Sequence, residues 1–258
     1  MTLIDPKTAL LDVRLVSSPE AEAATCIYAV GDIHGRLDLL HAIQAQIVAD
    51  IAERQPQRPV ICYLGDYVDR GPHSVEVVER LLDAKTPGLP RVFLKGNHEE
   101  RLLEFLETPL DCISWCLKYG GRDTLQGYGL SIPDQADAID WHRLSADFRA
   151  ALPDAHLAFY RSLRPAFVWR DFLFVHAGLN PERELDQQSE YDLRWIREPF
   201  LSSDREWPFR VVHGHEIVPA PVFRRNRIGI DTGAYRSGRL TCLVIDDSGL
   251  KTLSTADR

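Results

Sequence analysis

Three times in its first hundred residues this chain repeats one pattern: an apolar run stops at a glycine, polar residues follow, and a helically spaced apolar stretch comes next. CIYAV (26–30) ends at Gly31, and after GDIHG (31–35) the residues Leu37, Leu40, Ile43, Ile47 and Ile51 share one helix face. VICYL (60–64) ends at Gly65, GDYVDRG (65–71) follows, and Val75, Val78, Leu81 and Leu82 again read as a helix. RVFLK (91–95) ends at Gly96, with GNHE (96–99) and then Leu102, Leu103 and Leu106. Such a succession predicts neighbouring strands whose carboxyl ends gather the polar residues, the edge where open α/β sheets place their ligand sites.

The second half is richer in strands. FLFV (172–175) precedes His176, FRVV (209–212) precedes His213, and RIGI (227–230) and LTCLVI (240–245) follow. Their β-branched and aromatic content and close spacing predict hairpins and a second sheet. Between the halves, residues 109–165 carry tryptophans, the Gly120–Gly121 pair and mixed helical periodicity, which predicts an α-helical insertion. With no repeat or linker in 258 residues, a single domain over 1–258 is expected, its core spanning about 26–246.

Composition narrows the class. Apolar residues make up 45% and charged residues 26%, as in a soluble globular protein. The formal net charge of -8 argues against broad nucleic-acid binding, which depends on Lys and Arg neutralising phosphates. Five scattered cysteines with no CxxC pair read as reduced core thiols; Cys112 and Cys116 stand at helical i,i+4 spacing but have no further ligands beside them. The first twenty residues lack the basic start and long apolar stretch of a signal peptide, and no run reaches the roughly 18 to 20 apolar residues of a membrane span. A cytoplasmic location and no membrane partner are expected.

Six of the residues in or near these turns, Asp32, His34, Asp66, Asn97, His176 and His215, form a set suited to two metal ions. Singly, each has a plainer reading: DxH and GNH serve as turns or helix caps, and a lone histidine at a strand end is commonly a satisfied polar side chain. In Asp32-Ile33-His34 an extended backbone would point the outer residues one way and Ile33 into the core. The Asp66 carboxylate can bridge two cations. The mixed oxygen and nitrogen donors suit manganese first, with iron or zinc next, rather than calcium or magnesium. Two such ions about 3.5 to 4 Å apart would activate a water between them and leave the site net positive inside an acidic protein. His213 is left outside the set, as a strand-end residue or hydrogen-bond partner.

Phosphate chemistry also needs an acid and a clamp. His98, beside Asn97, can protonate a leaving oxygen, a contribution of roughly 10²- to 10⁴-fold, and Asp69 can orient it. Arg70 has the planar fork suited to phosphate. LRWIREPF (193–200) offers Arg194, which reads equally as a solvated helix residue, and the preferred Arg197.

Together GDIHG, GDYVDRG, GNHE, HAGL (176–179) and the GH at 214–215 resemble the phosphoprotein phosphatase family of calcineurin-like metallophosphoesterases, over roughly residues 26 to 245. The resemblance implies a mixed α/β fold, a β-sandwich flanked by helices. It implies one metal on Asp32, His34 and Asp66, and a second on Asp66, Asn97, His176 and His215. Asn97, Arg70 and Arg197 would contact the substrate phosphate, with His98 as acid and Asp69 as its orienting group. IGIDTGAYRSGRLTCLVID (228–246) and WCLKYGGRDTLQGYG (115–129) look like bacterial and phage members.

In a sister branch, the symmetrical diadenosine tetraphosphate hydrolases, alanine usually stands where this chain has Asp69, and GNHD replaces GNHE. Both positions therefore favour a phosphoprotein (Ser/Thr, and also Tyr) as substrate, attacked directly by a dimetal-bound hydroxide. A dinucleoside polyphosphate is the alternative substrate.

Overall fold

Strand β1 (Cys26–Val30) is apolar at every position because both its faces are covered. Cys26, Tyr28 and Val30 join the core under the helices, while Ile27 and Ala29 join a second core facing the other sheet. That double burial is why its sequence shows no alternation. We describe the protein from a computed structural model, in which residues 23–83 and 88–256 are described. The signal-peptide reading of the first twenty residues lies outside that range.

Two five-stranded sheets stack face to face. The first has the order β10-β9-β1-β2-β3, with β2 at Pro59–Tyr63, β3 at Arg91–Phe93, β9 at Thr241–Asp246 and β10 at Gly249–Ser254. The second has the order β4-β5-β6-β8-β7, from Ala166–Trp169, Phe172–Val175, Arg210–His213, Val222–Phe223 and Arg227–Gly229 in chain order. Ile27, Cys62, Leu243 and Ile245 of one sheet meet Phe167, Phe174, Val212 and Ile228 of the other. A parallel bridge from Leu94 to Arg164 ties the edge of the first sheet to the chain entering β4.

Each sheet contains a parallel triplet. β1, β2 and β3 run parallel through the crossover helices Leu37–Arg54 and Ser74–Leu82, and β5, β6 and β8 run parallel in the second sheet. This corrects the expectation that the second half is mainly hairpins: among the described residues antiparallel neighbours there are β4-β5, β7-β8 and β9-β10, and the last pair lies in the first sheet. It also moves 240–245 out of the second sheet: β9 pairs antiparallel with β1, where Leu243 and Ile245 complete the inter-sheet core and Cys242 and Val244 meet the helices.

The segment 109–165 carries helices at Ile113–Lys118, Gly121–Gly127, Trp141–Ala151 and Asp154–Ser162. Trp115, Leu125, Trp141 and Phe148 pack it against the helices outside the first sheet. All five cysteines are free and buried. No helix of the described residues is long and apolar enough to cross a membrane.

Candidate active site

The carboxyl ends of the six parallel strands converge, and the polar turns meet there. The turn after β1 is tied to the turn after β2: the Ile33 and His34 amides donate to the Asp66 carbonyl and Gly35 N–H to the Tyr67 carbonyl. His34 therefore does not continue an extended strand. It takes a left-handed conformation (φ 46°), as do Asp66 (52°), Asp69 (73°), Arg70 (67°) and His215 (64°). Ile33 is buried as expected. Backbone strain of this kind costs of order 1–3 kcal/mol per residue and persists where surrounding structure over-determines it.

Glu99 is one such determinant. Its carboxylate is fully buried and accepts the amides of Gly96 (3.0 Å), Asp66 (2.9 Å) and Tyr67 (2.8 Å), holding the Asp66 turn against the start of helix Asn97–Phe105. Burial, and after it the charge of Asp66, pushes Glu99 up to about 7. Glycines complete the fit, since a Cβ on Gly96 would overlap Asp66 Oδ1 and one on Gly214 would overlap Asp32 Oδ1.

Asp66 stands at the centre. Its Oδ2 lies 3.4 Å from His176 Nε2, 3.5 Å from His34 Nε2 and 3.9 Å from His98 Nε2. Burial alone would raise its pKa, but His176 and His98 outweigh it and hold the carboxyl well below the usual range. His34 and His176 each commit Nδ1 to a backbone carbonyl, Val68 at 2.8 Å and Leu64 at 2.9 Å. With Nδ1–H given to a carbonyl, each ring turns Nε2 inward, the arrangement that orients metal-ligating histidines. Burial, then the neighbouring His176, pushes His215 down to about 2, and burial with His98 lowers His34, so both favour the neutral form that a ligand needs.

The donor set fits divalent metal ions. Asn97 Oδ1 lies 2.9 Å from both His176 Nε2 and His215 Nδ1, so acceptor atoms crowd together where a cation would satisfy them. Asp32 Oδ1 and His215 Nε2 are buried without a hydrogen-bond partner among the described residues. Among the described residues two groups have metal-ligand spacing: Asp66, His176 and His215 in one, and His34, Asp66 and His98 in the other. Asp32 is not in the second group. Its Oδ2 accepts the His215 amide at 3.0 Å, and burial and then Asp231 raise its pKa well above normal.

His98 has an independent set of partners. Its Nδ1 donates to Asp69 Oδ2 at 2.6 Å, and the fully buried Asp69 also accepts Trp115 Nε1 (2.6 Å) and Thr124 Oγ1 (2.5 Å). Burial disfavours the imidazolium, but Asp66 and Asp69 outweigh it and raise the His98 pKa above its ordinary value. Arg70 places its guanidinium nitrogens 3.2 Å from His34 Nε2 and 3.1 Å from His98 Nε2, and the guanidinium lies 4.7 Å over the Tyr235 ring.

Arg197 is half-exposed, pairs with Glu216 at 2.8 Å, and lines the same cavity of about 310 Å³ as Arg70, Asn97, His98 and His215. Arg194 is not a solvated residue. It is buried and bound to Glu100 (2.6 Å) and Glu190 (2.9 Å), pinning helix Glu190–Trp195 to helix Asn97–Phe105. His213 stays outside, its Nδ1 bonded to the Gly214 carbonyl and its ring edge-on to Phe200.

Sequence reasoning missed Asp231, Tyr235, Trp115 and Thr124. Asp231 follows the RIGI strand as the other polar residues follow theirs, so the same rule would have found it; its charge raises Asp32, and burial pushes Asp231 itself up to about 6. Tyr235, edge-on to His34 at 5.4 Å, and the two insertion residues carry no comparable local signal.

A family model described as calcineurin-like phosphoesterase matches residues 27–239. An asymmetrical bis(5'-nucleosyl)-tetraphosphatase, PrpE, of Bacillus thuringiensis (strain Al Hakam) is 22% identical over 234 residues, covering 83% of this chain and 88% of that protein. PrpE of Bacillus anthracis (strain CDC 684 / NRRL 3495) is 23% identical over 235 residues, with the same coverage. The fold is shared with a crystal structure provisionally named a diadenosine tetraphosphatase (TM-score 0.62, 22% identity, 93% of this chain and 96% of that one). It is also shared with a cold-active protein-tyrosine phosphatase of a psychrophilic Shewanella (TM-score 0.56, 14% identity, 99% and 86%).

Proposed function

Because this chain belongs to the calcineurin-like phosphoesterase family, hydrolases of phosphate esters that use a dinuclear metal centre, we propose that Asp32, His34, Asp66, Asn97, His176 and His215 hold two divalent ions, manganese first. When bound, the metals would supply an activated water and neutralise charge on the transferred phosphoryl group. The chain's own residues do the rest. Arg70 and Arg197 offer planar N–H forks to the phosphate oxygens, with the Asn97 amide beside them. His98, with Nδ1–H on Asp69 and Nε2 facing the site, gives its Nε2 proton to the leaving oxygen as the P–O bond breaks, and Asp69 stabilises the charged imidazole beforehand.

The observation that carries the reaction class is the crowding of Asn97 Oδ1, His176 Nε2 and His215 Nδ1 beside Asp66, with the His98–Asp69 pair next to it. The cavity favours a nucleotide polyphosphate as substrate: a third guanidinium, Arg101, and the rings of Tyr119 and Trp195 line it together with Arg70 and Arg197. The names of the relatives agree with this reading. A phosphoprotein is the second reading, and the Asp69-supported acid favours it, because serine, threonine and tyrosine oxygens leave poorly without a proton.

Turnover measured side by side with manganese on diadenosine tetraphosphate and on phosphoserine, phosphothreonine and phosphotyrosine peptides tests the assignment. Faster cleavage of the nucleotide is expected; cleavage of the peptides alone would reverse the order, and trapping of a phosphorylated side chain would overturn direct hydrolysis.

A further inference from the structure

His98 and Arg101 are three residues apart in helix Asn97–Phe105, so they share a face, with Arg101 about 4.5 Å further along the axis. An acid that protonates the leaving oxygen has the leaving group beyond it, and the cavity past His98 is lined by Arg101, Asp111, Ser114, Tyr119 and Trp195. We infer that this end of the cavity is a leaving-group subsite for a nucleoside phosphate, with Arg101 on its phosphate and Tyr119 against its base. The inference deepens the nucleotide reading and rests on it.

The residues are built for that task. The Arg101 guanidinium lies 4.7 Å over the Trp195 ring, so its plane is held rather than swinging in solvent. The indole is itself fixed, donating Nε1–H to Glu100 and stacking on Tyr191 at 5.9 Å. Glu104 engages one edge of Arg101 through NH1 at 2.5 Å, and no second carboxylate reaches ion-pair distance of Arg101 among the described residues. The rest of the five-donor fork remains for an oxyanion.

Tyr119 is 54% exposed and lines the cavity, so its ring is available for a base to stack on. Asp111 and Ser114, both exposed on the same wall, offer a carboxylate and a hydroxyl that can accept the hydroxyls of a ribose. A serine or threonine side chain brings neither a phosphate for the guanidinium nor a base for the ring.

Three substrates separate the possibilities in the manganese-loaded full chain: diadenosine tetraphosphate, phenyl phosphate, which has a ring and no second phosphate, and a phosphoserine peptide. Arg101→Gln should lower kcat/KM for diadenosine tetraphosphate about tenfold more than for phenyl phosphate, as expected for losing a charge-assisted hydrogen bond. Tyr119→Ala, at an exposed position whose loss does not threaten folding, should lower it for the nucleotide several-fold more than for the peptide. Equal losses on all three substrates, or none on the nucleotide, would overturn the subsite. Hydrolysis of phenyl phosphate and peptide by the unmutated chain, with diadenosine tetraphosphate neither cleaved nor competing, would overturn it while leaving the phosphoesterase reading intact. Failure to hydrolyse any of the three would instead count against that reading.

Discussion

Trp115 donates its indole N–H to Asp69 Oδ2 at 2.6 Å, across 46 positions of sequence, so the helical insertion supports the residue that orients His98. Thr124 supports the other oxygen at 2.5 Å. The insertion thus builds the acid rather than only covering the cavity.

Asp69→Asn keeps the shape and removes the charge. Phosphopeptide turnover should fall about 10²- to 10⁴-fold in kcat, and cleavage of diadenosine tetraphosphate should fall less, because a phosphate leaves with less help from a proton. Trp115→Phe, which keeps a buried aromatic ring but loses the donor and part of the indole's volume, should give a smaller loss in the same direction. Steady-state kinetics on both substrates checks this, and equal losses on the two would contradict the acid's role.

Arg194 and Arg197 should separate stability from binding. Arg194→Ala strands the Glu100 carboxylate against the buried helix contact and should cost about 3–5 kcal/mol, read from urea unfolding. Arg197→Ala gives up only an exposed ion pair with Glu216, worth at most about 1 kcal/mol, and should appear chiefly as a higher KM.

Asp50 predicts an acid-sensitive contribution to stability. Helix Leu37–Arg54 is joined to β1 and β10 through its carboxylate, which accepts Tyr28 Oη at 2.8 Å and Lys251 Nζ at 2.7 Å. Burial alone would raise its pKa, but those two bonds outweigh it and hold the carboxyl below its ordinary value. A folded pKa below the unfolded one means the stabilisation is full above about pH 4 and is lost as pH falls through the folded value. Urea midpoints followed from neutral pH downward should drop more steeply for the unmutated chain than for Asp50→Asn; parallel curves would contradict this.

Much of the fold was legible because β1, β2 and β3 each stop at a glycine and hand over to a helix within a few residues. The six proposed ligands were legible for the same reason, each lying just beyond a strand. Strand direction in the second sheet was not, since FLFV, FRVV and RIGI read alike whether paired parallel or antiparallel, and only the connections through residues 176–209 and 214–226 decide it. Nor could local pattern show that β9 returns to β1 across more than two hundred residues. GNHE drew attention to Glu99 for substrate choice, whereas the folded chain turns that carboxylate onto the backbone of the Asp66 loop. Arg194 and Arg197, three residues apart, differ only in what packs on them.

The most direct test of a two-metal phosphoesterase is p-nitrophenyl phosphate hydrolysis by Asp66→Asn at saturating manganese, because Asp66 Oδ2 faces His34, His98 and His176 at once. The rate should fall to that of manganese without protein, while the unmutated chain loses activity to a chelator and regains it on adding manganese back. Activity in Asp66→Asn equal to that of the unmutated chain would contradict the account.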